Sequence, residues 1–122
     1  MGALEFTKLK NFSQLKTDVI PAIVQDKATG RVLILGYMNE AALKATQTSG
    51  RVVFYSTSRE ELWEKGATSG DYLYVEDIWV NCEDNSLLIQ VKMASDGACH
   101  KKDENGKAYP TCFYRRLNDA GN

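Results

Sequence analysis

A sheet-dominated α+β domain with one main helix is what this sequence predicts, on three observations. Segments rich in β-branched and aromatic residues recur along the chain with short turn signals between them. A single segment carries a helix pattern bracketed by a capping Asn and a terminal Gly. No repeat or Pro/Ser-rich linker divides the 122 residues, so 1–122 reads as one compact domain.

The elements follow in order. Residues 21–26 (PAIVQD) and 31–37 (RVLILGY) are strand-like, and the intervening KATG makes them an opening hairpin. Asn39 caps a helix running through Glu40, Leu43 and Ala45 to about Thr48, with Gly50 positioned to end it in a left-handed conformation. Residues 51–56 (RVVFYS) form the next strand. The polar stretch 56–71 (STSREELWEKGATSGD) reads as a functional loop in which 60–64 makes one helical turn before the small residues from Gly66 to Gly70 end regular structure. Residues 72–80 (YLYVEDIWV) and 87–93 (LLIQVKM) form a second hairpin through NCEDNS, with Cys82 at a strand end. A turn at Asn105-Gly106 follows, and Cys112 opens a short strand CFYRR. Strand order in the sheet is not readable from this pattern.

Composition excludes several classes. Fifteen Lys and Arg against sixteen Asp and Glu give a net charge of -1, so no global field draws the protein to nucleic acid or to an anionic membrane. No apolar run approaches the roughly 18 residues of a membrane span, and the start MGALEFTKLKNF lacks a signal-peptide core. A cytoplasmic protein is expected, and in a reducing compartment its three cysteines are free for metal binding, catalysis or burial.

Cys82, Cys99 and Cys112 each fall at a strand end or loop edge. Three thiolates with a fourth position left for water is a catalytic zinc pattern, yet without a CxxC pair the spacing fits incidental thiols equally well. His100, the single histidine, follows Cys99 directly; it is either a general acid or base beside a metal or a surface residue next to Lys101. Residues 62–70 (LWEKGATSG) supply a cation, two hydroxyls and backbone N–H groups between glycines, which suits either a phosphate cradle or a solvated turn. Asn81, Glu83 and Asn85 alternate around Cys82. With one charge among three they favour turn formation over a magnesium or calcium site.

Taken together, GYMNEAAL, YSTSREELWEKGATSG, NCEDNSLLIQV, GACH and TCFYRR, in that order over 19–117, resemble the phosphoribosyl-AMP cyclohydrolase family. The resemblance implies a compact β-rich α+β fold in an intertwined homodimer with shared active sites. It implies that Cys82, Cys99 and Cys112 bind zinc across the dimer interface and that His100 takes part in the chemistry. Zinc lowers the pKa of a water, which attacks C6 of a purine; the ribosyl phosphate on N1 then makes the C6–N1 bond the one that breaks. Lys65 joins His100 in the expected catalytic set. The nucleotide, with its two phosphates, is expected to meet Arg59, Trp63, Lys65, Thr68, Ser69, Gly70 and Arg115.

The chain departs from the family at three places. Asn81, Glu83 and Asn85 stand where the family has magnesium-binding aspartates, so a magnesium requirement is left open. Ala67 stands where Glu is usual, and the segment between the second and third cysteines is longer than usual. Such changes also suit a metal-dependent hydrolase acting on another purine or pyrimidine nucleotide, or a zinc- or nucleotide-binding module without turnover.

Overall fold

A computed structural model describes residues 4–117 and forms an α+β domain built from a four-stranded sheet, a two-stranded sheet and one α-helix. The strands are β1 (Ile20–Asp26), β2 (Val32–Met38), β3 (Val53–Ser56), β4 (Glu61–Glu64), β5 (Leu73–Val80) and β6 (Leu87–Met93); the helix α1 is Glu40–Ser49. The larger sheet runs β2-β1-β6-β5. Its two hairpins are antiparallel, and they meet where β1 lies parallel to β6, from Ala22 opposite Leu87 to Asp26 opposite Val91.

Alternation decides which face is buried. Ala22 and Val24 of β1 and Leu87, Ile89 and Val91 of β6 point into the core, where they meet Leu33, Met38, Val52, Phe54 and Leu73. α1 covers that core with Ala42 and Thr46, one turn apart. The Asn39 side chain accepts the Ala42 N–H at 2.8 Å, and Gly50 at φ 73° closes the other end. Thr46 is fully buried and satisfied: its hydroxyl donates to the Ala42 carbonyl at 2.9 Å and accepts the Val53 N–H at 2.9 Å, which ties α1 to β3.

The opposite face of the larger sheet is open. Leu35, Ile23, Leu88 and Trp79 sit side by side in one row across all four strands, and all but Leu88 are well exposed. Beside it runs a polar row: the Trp79 indole donates to Gln90 at 3.0 Å, and Gln90 donates to Gln25 at 3.1 Å.

Two sequence expectations are corrected. Residues 60–64 form no helical turn: Glu61–Glu64 is strand β4, paired with β3. Glu60 takes a positive φ of 53° to close the tight turn, and the Trp63 ring stacks on Phe54 with centroids 5.9 Å apart, a cross-strand contact that a helical turn would forgo. Cys112 opens no strand. Residues 111–116 run irregularly along β2, held by the Cys112 N–H donating to the Leu33 carbonyl at 2.8 Å. A 3-10 turn at Leu9–Gln14, not anticipated from sequence, packs its Phe12 edge-on against Tyr37 at 4.8 Å.

Candidate active site

Lys65 leaves β4 pointing inward and is only 2% exposed. Its backbone N–H donates to Val52 at 3.0 Å and its Nζ donates to the Asp71 carbonyl at 3.2 Å. The chain can double back to offer that carbonyl because Gly66 takes φ +95° and packs so closely that a Cβ there would lie 2.5 Å from the Tyr72 nitrogen. Burial pushes the Lys65 ammonium below its usual range, against the opposing pull of Asp71, Cys112 and Cys99.

The thiols of Cys99 and Cys112 lie near each other beside that ammonium, and the Cys99 sulfur accepts the Lys101 N–H at 3.4 Å. Two local devices bring them together. Residues 101–109 fold as a small loop, with Lys102 bridged to Ala108, Asp103 accepting turn N–H groups and Gly106 in left-handed conformation; its base holds Cys99 through an N–H donated to the Tyr109 carbonyl at 3.0 Å. Thr111, buried, then pins its hydroxyl between the Val32 and Leu33 carbonyls at 2.7 and 3.1 Å, one residue before Cys112. Burial, then the neighbouring Cys99, push the Cys112 thiol up to about 12, with Lys65 opposing.

Two cavities meet at this cluster. One of about 290 Å³ is lined by Lys65, Thr68, Ser69, Cys99, His100 and Lys102. The other, about 440 Å³, is lined by Lys8, Tyr37, Ser56 to Ser58 and Cys112, and Trp63 and His100 form a wall common to both. The exposed His100 therefore faces both lobes from the position next to Cys99.

The remaining predicted residues are distributed unevenly. Gly70 completes the turn by donating to the Gly66 carbonyl at 2.8 Å, without lining either cavity. Arg59 lies on the surface with its guanidinium 3.9 Å from Glu61, and Arg115 is exposed over the Tyr114 ring, so neither lines the cavities. Cys82 is exposed in the β5–β6 turn. The seven residues of β6 span about 20 Å, and Cys82 lies beyond its Leu87 end while Cys99 lies beyond its Met93 end. Among the described residues no three His, Cys, Asp or Glu side chains gather to hold a metal within the chain. Around Cys82, the Asn81 Oδ1 accepts the Asn85 and Ser86 N–H groups, each at 2.9 Å, and its Nδ2 donates to the Asn85 Oδ1 at 2.7 Å. Those amides build the turn. Sequence reasoning passed over Lys8, Tyr37 and Lys102, because their place in the cavities depends on the N-terminal turn and on the 101–109 loop.

Residues 34–114 match the family model of phosphoribosyl-AMP cyclohydrolase. The chain is 43% identical over 99 residues to a phosphoribosyl-AMP cyclohydrolase of Desulforapulum autotrophicum, covering 81% of this chain and 74% of that protein. It is 44% identical over 101 residues to the enzyme of the same name from Clostridium botulinum strain Kyoto, covering 83% and 86%. A longer relative, the histidine biosynthesis bifunctional protein HisIE of Caldanaerobacter subterraneus, is 43% identical over 112 residues, which are 89% of this chain and 51% of that one. With a family match over most of its length, and Lys65, Cys99, His100 and Cys112 gathered where two cavities join, the chain belongs to the phosphoribosyl-AMP cyclohydrolase family of hydrolases.

Proposed function

We propose that the chain opens the adenine ring of phosphoribosyl-AMP by hydrolysis of the C6–N1 bond, with a zinc ion held by Cys99 and Cys112 of one copy and Cys82 of a second. The observation that carries this reading is the buried Lys65 ammonium set against a thiol pair at the junction of two cavities that His100 walls. The relative named for histidine biosynthesis supports that pathway as the setting, and a working thiol pair suits the reducing cytoplasm.

The donor chemistry fits zinc. Two soft sulfur donors lie side by side, Cys99 buried and Cys112 half-buried with its thiol pushed up to about 12; Lys65 alone does not offset that rise, and a divalent cation supplies the remaining positive charge. When bound, zinc contributes the Lewis acidity that makes water nucleophilic near neutral pH. Magnesium does not fit at Asn81, Glu83 and Asn85, since the two amides are engaged with each other and with the backbone, and no step is assigned to it.

The chain's own residues do the rest. Lys65, anchored on the Asp71 carbonyl, holds positive charge beside the sulfurs and favours the thiolate form of Cys112. Trp63 offers an aromatic face to the purine, and Thr68 and Ser69 offer hydroxyls to a phosphate. In the reaction, water oxygen bonds to C6, the C6–N1 bond breaks with its electron pair going to N1, and the exocyclic amine stays on C6 as a carboxamide. His100 accepts the proton released by water and delivers one to N1.

Two observations support a homodimer. Cys82 stands at the opposite end of β6 from Cys99, so one zinc ion reaches both sulfurs only if they come from different copies. The row Leu35, Ile23, Leu88 and Trp79 gives the open sheet face the apolar character of a surface covered by a second copy. The test is absorbance-monitored turnover of phosphoribosyl-AMP by zinc-loaded protein. Turnover that is lost with Cys112→Ser supports the assignment, and no turnover by the zinc-loaded wild type overturns it.

A further inference from the structure

The larger cavity holds chemistry that the residues named so far do not explain. Lys65 does not line it; Ser56, Thr57 and Ser58, at the end of β3 and in the turn to β4, do. Ser56 Oγ and Ser58 Oγ lie 3.4 Å apart, and Ser56 Oγ also accepts the Arg59 N–H at 3.2 Å, so the hydroxyls are clustered on a turn that is itself tied down. Among the described residues, the only lysine lining this lobe is Lys8. It comes from the N-terminal segment, outside residues 34–114.

That segment is held in place at several points. Phe12 packs edge-on against Tyr37, the Lys16 N–H donates to Glu60 Oε1 at 3.0 Å across the base of the same β3–β4 turn, and Asn39 reaches Thr17 at 3.5 Å. Lys8 Nζ sits 5.8 Å above the ring centroid of Tyr37, which lines the same lobe, with no carboxylate partner among the described residues. A lysine and three hydroxyl-bearing residues lining one cavity, with an aromatic wall toward the other lobe, supply the donor types of a phosphate monoester site.

We propose that Lys8 and the Ser56 to Ser58 turn bind one phosphate monoester of the substrate, while Lys65, Thr68, Ser69 and Lys102 face the other across the Trp63–His100 wall. The inference rests on the nucleotide reading above in its choice of ligand. A substrate with a phosphate at each end of a purine requires two anion sites on either side of the ring, and the two lobes supply them. Lys8 is a binding residue: it touches the end of the ligand remote from the reacting C6, so its removal weakens binding and leaves the chemical step in place.

The experiment titrates the zinc-loaded protein with AMP and, separately, with ribose 5-phosphate, following Trp63 fluorescence in a Trp79→Phe background, and compares Lys8→Ala, Lys8→Arg and Lys10→Ala. Lys8→Ala is expected to raise the dissociation constant of at least one ligand about tenfold, with Lys8→Arg restoring most of it, as loss of one charge-assisted contact predicts. Lys10→Ala, an exposed lysine outside both cavities, leaves it unchanged. Which ligand responds tells whether the lobe takes the AMP phosphate or the other one. With phosphoribosyl-AMP, Lys8→Ala raises KM about tenfold and leaves kcat within about twofold. Equal affinities in Lys8→Ala and wild type for both ligands, or no quenching by either at millimolar concentration, overturn the proposal. Lys8-dependent binding without turnover by the wild type overturns the hydrolase reading and leaves this one standing.

Discussion

The Thr111 hydroxyl lies 3.1 Å from the carbonyl of Leu33, a residue 78 positions earlier in the chain, and 2.7 Å from that of Val32. The contact joins β2 to the segment that carries Cys112, a segment with no strand ladder of its own. With the Cys112 N–H bonded to the same Leu33 carbonyl at 2.8 Å, it fixes where the second thiol stands relative to Cys99.

Thr111→Val therefore tests position as well as stability. The valine keeps the shape and removes the hydroxyl's bonds to the Val32 and Leu33 carbonyls, at a cost of about 1–3 kcal/mol. Thermal unfolding should show that loss, and zinc titration against a chromogenic chelator should show weaker binding, because Cys112 is no longer held against its partner. A variant that melts lower yet binds zinc as tightly as the parent would assign Thr111 to stability alone.

The parts of this arrangement that were legible in sequence are the ones dictated locally. Asn39 and Gly50 mark the ends of α1 because each supplies a group that a helix end needs, and the alternation Leu87, Ile89, Val91 marks β6 because its period is two. β4 was misread because ELWE carries no strand alternation; it is a strand through its pairing with β3 and the stacking of Trp63 on Phe54, both tertiary contacts. The parallel pairing of β1 with β6 is likewise invisible, being a contact between distant segments. For the site, spacing alone makes the residue types legible and only the family resemblance groups them, because the grouping is tertiary: the Tyr109 and Leu33 carbonyls hold Cys99 and Cys112, while Cys82 is carried to the far end of β6.

That separation gives a complementation test. Cys82→Ala and Cys99→Ala are each expected to be inactive and zinc-poor. If the ligands come from two copies, unfolding and refolding an equimolar mixture produces hybrid dimers with one intact site, and about a quarter of parental activity returns. Activity that stays at the level of the separate variants would show that all three sulfurs serve within one chain or that Cys82 is not a ligand.

The apolar row on the open sheet face makes an independent prediction. Sedimentation equilibrium of the parent should give about twice 13.6 kDa, and Trp79→Glu, which puts a charge beside Leu88 at the β5 edge of that surface, should shift it toward 13.6 kDa. Circular dichroism of the variant should stay close to that of the parent, since Trp79 is 58% exposed in the single chain. A Trp79→Glu protein that remains dimeric would place the interface elsewhere.

The buried Lys65 ammonium costs stability, and pH reads that cost. Its folded pKa lies below the ordinary lysine value, so between the two values the unfolded chain binds a proton that the folded chain does not. Stability therefore rises with pH through that window toward 10.5 and is lowest, for this residue's part, at neutral pH. Lys65→Met, similar in length and uncharged, is expected to abolish turnover while raising the melting temperature of metal-free protein at pH 7 by roughly 5 °C. The gap between variant and parent should narrow as pH approaches 10.5. A gap constant with pH would mean that burial of the ammonium carries no penalty.

The last prediction concerns the turn that carries Cys82. Asn81 and Asn85 face each other through an amide–amide hydrogen bond, and Asn81 also accepts two backbone N–H groups, so the turn is complete without any ion. The parent should accordingly show no change in melting temperature, and little change in activity, on adding millimolar Mg2+. Converting Asn81, Glu83 and Asn85 to Asp replaces the 2.7 Å amide contact by two carboxylates at the same spacing. Like charges that close repel, and only a cation between them relieves the repulsion. The triple variant should melt lower than the parent in chelator and recover with added Mg2+, by an amount that grows with the logarithm of its concentration once the site is saturated. Calcium offered in place of magnesium tests the size of the site. A triple variant indifferent to both ions would show that the turn's backbone holds these three positions in a geometry that no divalent ion accepts, and that carboxylates alone do not make the site.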